Sequence, residues 1–175
     1  MARAFSKLPH ELDREALTCR VIIETPAGSR AKYKYDEECA AFELFKMLPA
    51  SMNYPLNFGF VPSTLGEDGD PVDVLVMSEI PLAIGCIARV RLLGAMLAEQ
   101  SEKGETIRND RLIARLEEGE AYAGIKHVDQ LGEPFTRELE RFFTTYNEWR
   151  GRHFKVVSVE GPEEAAELIA KSTLG

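Results

Sequence analysis

The spacing of apolar residues changes once along this chain of 175 residues, and the change limits the folds that the chain can adopt. Before residue 134 the apolar side chains fall in short alternating or β-branched runs separated by Gly, Pro, Asn and Asp, which is typical of strands. From Pro134 to Arg150 they recur at helical spacing and predict an amphipathic helix, and Pro162 begins a second helix. The pattern therefore predicts a mainly β fold with α, an antiparallel barrel with peripheral helices.

The composition suits a single domain over residues 1–175. The chain is 45% hydrophobic and 29% charged, and it is long enough to bury a core without disulfides. It has no apolar stretch near the ~20 residues that span a bilayer, and its start, Met1–Lys7, lacks a secretory apolar core. Cys19, Cys39 and Cys86 show neither zinc-site nor disulfide spacing. We therefore expect a cytoplasmic protein without a membrane partner.

The charge of the chain excludes one class of partner and predicts a need for local cations. The net charge of −8 argues against nucleic-acid binding, which depends on clustered Lys and Arg. An acidic protein that binds an anion needs metals or a local basic group. Residues 30–36 alternate as a strand, so Lys32 and Lys34 share one face. Either both ammonium groups point at one ligand, or they form an exposed basic strand face.

An acidic turn at residues 67–77 is the strongest candidate for chemistry. The residues read Glu-Asp-Gly-Asp-Pro-Val-Asp-Val-Leu-Val-Met, so Asp68 and Asp70 lie on a turn and Asp73 lies at the start of an apolar strand. An ionised Asp73 is costly there without a partner, and its acidic neighbours raise its pKa further. A hard divalent cation removes this cost. Mg²⁺ prefers oxygen ligands, usually one or two carboxylates with water and phosphate oxygens.

The acidic turn has two other interpretations. A solvated acidic turn is common, because most Asp-Gly turns bind no ligand. A calcium EF-hand requires an oxygen ligand at its fifth position and Gly at its sixth, where counting from Asp68 gives Val72 and Asp73. The turn alone therefore leaves metal binding and a solvated turn as alternatives and disfavours the EF-hand.

Three further segments precede the acidic turn. They are Val21-Ile-Ile-Glu-Thr-Pro, Lys32-Tyr33 and Tyr54-Pro-Leu-Asn-Phe-Gly-Phe, and Asp68-Gly-Asp-Pro-Val-Asp-Val-Leu-Val follows them. Together these segments resemble the soluble family I inorganic pyrophosphatases, from about Leu17 to the final helix. The resemblance implies an OB-like five-stranded barrel with helices, Mg²⁺-dependent hydrolysis of pyrophosphate to two phosphates and, as in bacterial members, a homohexamer.

By position, the resemblance assigns roles to the acids and to the residues around them. Asp68 and Asp73 match metal ligands, and Asp70 matches the carboxylate that takes a proton from the attacking water. Cations over phosphate oxygens supply the positioning and charge stabilisation that phosphoryl transfer needs. The matched substrate-binding positions are Glu24, Lys32, Lys46, Tyr54 and Tyr146.

The chain departs from the family's pattern inside the expected pocket. Lys34 stands where the family has an acid, Phe58 replaces a Tyr, and Asn147 replaces a Lys. Lys34 shares its predicted strand face with Lys32. We hypothesise that Lys34 binds substrate and supplies, as a fixed ammonium, part of the positive charge that a further metal supplies in the family.

The polar segment 99–110 aligns less clearly with the family. Reading Asn109-Asp110-Arg111 as a strand start puts Asn109 at a metal-binding Asp and Arg111 at a phosphate-binding Lys. Asp110 replaces Asn109 as the metal ligand if the backbone shifts. The family's preceding Asp has three candidates in this chain, which are Glu99, Gln100 and Glu102.

The leading function is that of a Mg²⁺-dependent inorganic pyrophosphatase, because the acidic triplet is retained. Substituted pocket positions leave two alternatives: a paralogue that hydrolyses another phosphoanhydride, and a noncatalytic protein that binds metal-phosphate ligands. A nucleic-acid-binding OB domain is disfavoured by the charge and by the absence of a basic stripe.

Overall fold

The computed structural model describes residues 4–175. The first three residues, which belong to the Met1–Lys7 segment without a predicted secretory core, lie outside the described residues. The strands are β1 (Thr18–Thr25), β2 (Ala31–Asp36), β3 (Ala41–Met47), β4 (Asn57–Phe60), β5 (Asp73–Met77), β6 (Ile87–Glu102), β7 (Glu105–Arg108), β8 (Arg111–Leu116) and β9 (His153–Glu160). The α-helices are α1 (Glu133–Trp149) and α2 (Pro162–Ser172), and short 3-10 helices lie at Phe5–Lys7 and Val128–Leu131.

Strands β1, β4, β5, β8 and β6 form a closed ring in that order, because β6 pairs back onto β1. The pairings around the ring are antiparallel except between β5 and β8, which run parallel. Parallel neighbours need a long crossover connection, and β6 with β7 supply it. The predicted five-stranded barrel with peripheral helices is confirmed, and its sheet is mixed. β2 and β3 form a separate two-stranded sheet.

Strand β6 is longer than the sequence predicts. The sequence predicts separate strands at residues 86–93 and 95–98, whereas the structure has one strand over Ile87–Glu102 that continues into a hairpin with β7. The register shifts just before Gly94, where a Cβ would lie 2.3 Å from the carbonyl oxygen of Glu160. Gly94 therefore lets β9 approach closely and bends the strand without ending it.

Alternation along β5 decides which side of the sheet each of its residues faces. Val74 and Val76 belong to a buried cluster that includes residues of α2, whereas Leu75 and Met77 belong to a cluster that includes residues of α1. Asp73 is the first residue of β5 and therefore lies on the side that α1 covers. The sequence predicts this placement, because alternation along residues 72–77 puts Asp73 on the same strand face as Leu75 and Met77.

Helix α1 brings aromatic side chains onto the barrel. It begins at Glu133, and Pro134 lies in its first turn, where a missing N–H leaves no hydrogen bond unmade. Leu139, Phe143 and Tyr146 are buried on one face of the helix, as the spacing predicts. Neither α1 nor any other helix within residues 4–175 is long and apolar enough to cross a membrane.

Candidate active site

A cavity of about 670 Å³ lies between the acidic turn, β2, β8 and α1. It collects most of the residues that the sequence predicts for the site. The predicted residues that line it are Glu24, Lys32, Lys34, Asp68, Asp70, Asp73, Asn109, Arg111 and Tyr146. Lys46, Tyr54 and Asp110 lie outside it.

Hydrogen bonds within the acidic turn fix its shape. The Gly66 N–H donates to the Asp70 carbonyl oxygen at 2.8 Å, and the Asp70 N–H donates to Oδ1 of Asp68 at 3.1 Å. Gly69 has a φ of 84°, a left-handed conformation that residues with a Cβ rarely adopt. The turn presents Asp70 to the cavity and leads into β5 at Asp73.

Asp73 is the acid of the turn whose pKa is most clearly perturbed. The parallel register of β5 and β8 places it opposite Arg111, and its Oδ2 lies 3.9 Å from Nη2 of that residue. Burial raises the pKa of Asp73 to about 6; Arg111 and Lys32 act against the rise, and Asp68 and Asp70 add to it. A carboxyl group in this state is strongly stabilised in its ionised form by an added cation.

Arg111 is a buried and rigidly held guanidinium. It is 5% exposed, and its guanidinium carbon lies 4.2 Å from the ring centre of Phe143 and 4.9 Å from that of Phe154. Its Nη1 donates to the Asn109 carbonyl oxygen at 2.9 Å, whereas its buried Nε has no acceptor among the described residues. Burial lowers its pKa. A desolvated guanidinium with an unused donor is suited to bind a phosphate oxygen.

Lys34 faces the acidic turn from β2. Its Nζ lies 2.9 Å from Oδ2 of Asp70, and the side chains are 38% and 49% exposed, respectively. Burial lowers the pKa of Lys34, but the hydrogen bond and the charge of Asp70 outweigh burial and raise the pKa above its ordinary value. Lys34 is therefore a permanent cation in contact with the predicted catalytic carboxylate.

Glu24 on β1 is a buried acid at the edge of the cavity. Its Oε1 accepts a hydrogen bond from the Tyr35 N–H at 2.8 Å. Burial raises the pKa of Glu24 to about 7; the Tyr35 hydrogen bond acts against this rise, and the charge of Asp73 adds to it. Glu24 therefore carries a proton over part of the neutral pH range, unlike an ordinary glutamate.

The hydroxyl group of Tyr146 connects two cations. Lys32 Nζ donates to it at 3.3 Å, and Nη1 of Arg150 donates to it at 3.2 Å. Burial raises the pKa of Tyr146, but Lys32 and Arg150 outweigh burial and lower the pKa below its ordinary value. Arg150, which also lines the cavity, is not among the residues that the sequence predicts for the site. Its signal was its position four residues after Tyr146, because residues at that spacing share a face of a helix.

Lys46 and Tyr54 are predicted substrate-binding residues that do not line the cavity. Lys46 Nζ lies 5.6 Å from the ring centre of Trp149. Tyr54 is 2% exposed, and its ring centre lies 5.1 Å from that of Phe142. Burial of Tyr54 in the aromatic cluster under α1 gives it a packing role.

Asn109 faces the cavity, and Asp110 does not. The side-chain amide of Asn109 donates to Oε1 of Gln100 at 2.9 Å, and both residues line the cavity. The Asp110 carboxylate instead accepts hydrogen bonds from Nη2 of Arg108 at 2.8 Å and from the Ala98 N–H at 2.9 Å. Two amides therefore meet where the family resemblance implies carboxylates.

The oxygen donors of the cavity fit a hard divalent cation. Burial raises the pKa of Asp68 and of Asp73, and neighbouring acids raise both further, so an added cation relieves repulsion. No three His, Cys, Asp or Glu side chains within residues 4–175 form a ready-made metal centre. The site therefore fits an ion that takes one or two carboxylates from the protein and its other ligands from water and substrate, as Mg²⁺ does.

Fold and site together define the class of this protein. A five-stranded barrel carries the acids of one turn, and Lys, Arg and Tyr side chains line the same cavity. Carboxylates for a cation and donors for phosphate oxygens are what metal-assisted phosphoryl transfer to water requires. The protein is thus a barrel-type hydrolase of phosphate compounds.

Comparisons with known proteins specify the family. The family model described as inorganic pyrophosphatase matches residues 21–174. The inorganic pyrophosphatase of Aquifex pyrophilus is 41% identical over 154 residues, which cover 86% of this chain and 85% of the relative. The inorganic pyrophosphatase of Thermus thermophilus is 36% identical over 149 residues, which cover 85% of this chain and 83% of the relative. The crystal structure of the Thermus thermophilus inorganic pyrophosphatase superposes with a TM-score of 0.87 at 34% identity and covers 97% of both chains. The chain belongs to the inorganic pyrophosphatase family, as the sequence predicts.

Proposed function

We propose that this protein catalyses the Mg²⁺-dependent hydrolysis of inorganic pyrophosphate to two phosphates, with residues 1–175 acting as a single domain. One observation carries the proposal: Asp70 of the acidic turn and Arg111 of β8 line the same cavity, so a base and a fixed phosphate donor serve one substrate. Relatives that bear the name inorganic pyrophosphatase cover most of this chain, which supports the choice of substrate.

The reaction joins a water oxygen to one phosphorus atom while the bridging P–O bond breaks. Asp70 takes the proton of the attacking water. Asp68 and Asp73, beside Asn109, would hold Mg²⁺, which would supply positive charge at the phosphate oxygens and lower the pKa of the attacking water. Arg111 holds the phosphoryl group in position through a guanidinium that is already desolvated.

Fixed cations of β2 bind the substrate together with Tyr146. Lys32 and Lys34 lie on the cavity, and the Tyr146 hydroxyl lies within 3.3 Å of Lys32 Nζ. Lys34 supplies positive charge that a further metal supplies elsewhere in the family, and buried Glu24 maintains the position of β2. Lys46, Tyr54 and Asp110 are given no contact with substrate in this proposal, because none of them lines the cavity.

The proposal is tested by phosphate release from magnesium pyrophosphate, with purified wild type beside Asp70→Asn. Loss of a general base lowers kcat by about 10²- to 10⁴-fold. Asp129→Asn is the matched control, because that side chain is 85% exposed and lies outside the cavity. Removal of Mg²⁺ with EDTA abolishes release. Pyrophosphate hydrolysis is rejected if wild type releases no more phosphate than Asp70→Asn.

A second candidate is favoured by the amide pair of Gln100 and Asn109, which supplies no negative charge to a metal. In this alternative the protein hydrolyses another phosphoanhydride or only binds metal-phosphate ligands. Nucleoside triphosphates and polyphosphate in the same assay, with calorimetric binding of pyrophosphate, separate the outcomes. Selective release from one of the other anhydrides favours a different substrate, and binding without release favours a binding protein.

The cellular setting of the protein is part of the proposal. We expect a cytoplasmic homo-oligomer, a hexamer by analogy with the family, without nucleic-acid or membrane partners. Cys19, Cys39 and Cys86 are free thiols, as a reducing compartment requires. Ile80 and Ile87 are 65% and 51% exposed, which is apolar surface that a subunit interface would cover. Light scattering tests the assembly against the 19.6 kDa mass of one chain.

A further inference from the structure

Three cations converge on one aromatic ring in the wall of the cavity. The Nζ atoms of Lys32 and Lys34 and the guanidinium carbon of Arg150 lie 5.6, 5.8 and 5.4 Å from the ring centre of Phe45. The lysines lie on β2 and Phe45 lies on β3. Arg150 is the C-cap residue that directly follows α1. The ring attracts each cation, whereas the cations repel one another. An anion placed among them relieves this repulsion.

Lys32 and Arg150 lack the ionic partner that Lys34 has. Lys34 contacts the Asp70 carboxylate, but within residues 4–175 neither Lys32 nor Arg150 makes a salt bridge to an acid. Both donate to the hydroxyl oxygen of Tyr146 instead, at 3.3 and 3.2 Å. A neutral hydroxyl is a weak substitute for a carboxylate, so neither of these two cations is paired directly with an acid among the described residues.

The hydrogen bonds at Tyr146 determine where its own proton points. A phenol oxygen has two lone pairs and one O–H group. Lys32 and Arg150 each donate a hydrogen bond to one of these lone pairs. The O–H of Tyr146 must therefore donate to a third group. Tyr146 lines the cavity, and an acceptor oxygen in the cavity would receive this hydrogen bond. The arrangement is therefore one of donors only: an ammonium, a guanidinium and a hydroxyl.

We propose that Arg150 is a substrate-binding residue that, with Lys32 and Tyr146, holds a terminal phosphoryl group of pyrophosphate. The identity of the substrate rests on the proposed function. The planar guanidinium donates to two oxygens of one phosphoryl group, and the ammonium and hydroxyl groups donate to the remaining oxygen. A terminal phosphoryl group has three free oxygens for these donors, whereas an internal phosphodiester has two. Arg150 therefore selects for a terminal phosphoryl group.

The inference is tested with Arg150→Gln and with Arg137→Gln as the matched control. Each change removes one positive charge, Arg137 within α1 and Arg150 directly after it. Arg137 is a suitable control because it is exposed and paired with Glu133. Methylenediphosphonate, a pyrophosphate analogue with a non-hydrolysable P–C–P bridge, is titrated into each protein by calorimetry with Mg²⁺ present. We expect Arg150→Gln to raise its Kd by on the order of tenfold or more, because charge-assisted hydrogen bonds are lost. Arg137→Gln leaves the Kd unchanged.

Kinetics and a second variant separate binding from folding. In phosphate release, Arg150→Gln raises KM more than it lowers kcat, and Arg150→Lys recovers part of the affinity. Arg150→Met keeps an unbranched side chain without the charge. If Arg150→Gln does not fold and the circular dichroism of Arg150→Met matches wild type, Arg150→Met takes its place in each comparison. An unchanged Kd and KM in the folded variant, with wild type active on pyrophosphate, overturns the role of Arg150 and leaves the proposed function intact. An inactive wild type that binds the analogue, and loses affinity in Arg150→Gln, supports the anion site and rejects hydrolysis.

Discussion

Lys34 Nζ lies 2.9 Å from Oδ2 of Asp70, so the carboxylate proposed as the base is paired with a cation before substrate binds. Both side chains retain contact with solvent, and an exposed pair of this kind is worth about 0–1 kcal/mol. Separation of the pair is therefore easy. A phosphate oxygen that binds the Lys34 ammonium leaves the Asp70 carboxylate available to the attacking water.

Replacement of Lys34 by Ala tests whether its charge replaces that of a metal. We expect Lys34→Ala to bind pyrophosphate more weakly and to need more Mg²⁺ for half-maximal activity, because the fixed ammonium no longer neutralises phosphate oxygens. Phosphate release over a Mg²⁺ series measures both effects. Lys155→Ala is the control, since Lys155 is exposed on β9. Unchanged phosphate affinity and Mg²⁺ requirement in Lys34→Ala would show that the hypothesis is wrong.

Addition of a carboxylate at Asn109 tests which residue of this segment faces the cation. We expect Asn109→Asp to lower the Mg²⁺ concentration for half-maximal activity several-fold, because ligand charge strengthens Mg²⁺ binding. Asp110→Asn is the matched variant and leaves this concentration unchanged, because Arg108 and the Ala98 N–H hold the Asp110 carboxylate outside the cavity. The opposite pattern, with Asp110→Asn impaired and Asn109→Asp neutral, would assign the cation to Asp110.

Glu24 makes stability depend on pH. Its pKa rises from 4.5 in an ordinary glutamate to about 7 in the fold, so the folded state binds more protons between these values. Stability therefore falls as pH rises from about 4.5 to about 7, by on the order of 2 kcal/mol. Glu24→Gln removes this contribution and leaves that of Asp73, whose pKa is also raised, and it retains an acceptor for the Tyr35 N–H. Urea unfolding in EDTA at pH 5 and 8 measures this change in stability. The exposed control Glu148→Gln must keep the wild-type slope. A Glu24→Gln slope equal to that of wild type would contradict the role of Glu24.

Gly94 is required for the close approach of β6 and β9. A Cβ there would lie 2.3 Å from the Glu160 carbonyl oxygen and 2.8 Å from Cγ1 of Val128. We expect Gly94→Ala to lower the free energy of unfolding by about 1–3 kcal/mol, as overpacking does. Gly124→Ala, where a Cβ meets no atom within 4 Å, is the control for chemical denaturation. Equal stability of the two variants would contradict a steric role for Gly94.

Sequence patterns predicted the parts of the site that local spacing controls. Two-residue alternation correctly put Asp73 on the face with Leu75, and Lys32 with Lys34, because neighbouring side chains of a strand point to opposite sides. The order of the motifs was sufficient for the family and the barrel. These features depend on residues close together in the chain, where one sequence contains the necessary information.

Features that depend on distant contacts were not predictable in the same way. Whether Asn109 or Asp110 faces the cavity depended on the hydrogen bond from the Ala98 N–H of β6 to the Asp110 carboxylate, which the spacing of residues 99–110 does not reveal. Arg150 joins the cavity only because the end of α1 meets β3 there. Tyr54 matched a pocket position, yet packing against Phe142 under α1 determines its place. In each case a tertiary contact decided which way a side chain pointed.

The separate β2–β3 sheet divides the cavity between two hydrogen-bonded units. Lys32, Lys34 and Phe45 belong to this hairpin, whereas Asp73 and Arg111 face each other across a ladder of the closed ring. Opening the ring breaks its core, but tilting the hairpin breaks none of the ring's backbone hydrogen bonds. Glu24 and Thr25 of β1 accept hydrogen bonds from the N–H groups of Tyr35 and Tyr33. Side-chain contacts, rather than a backbone ladder, therefore set the distance between the lysines of the hairpin and the acids of the ring.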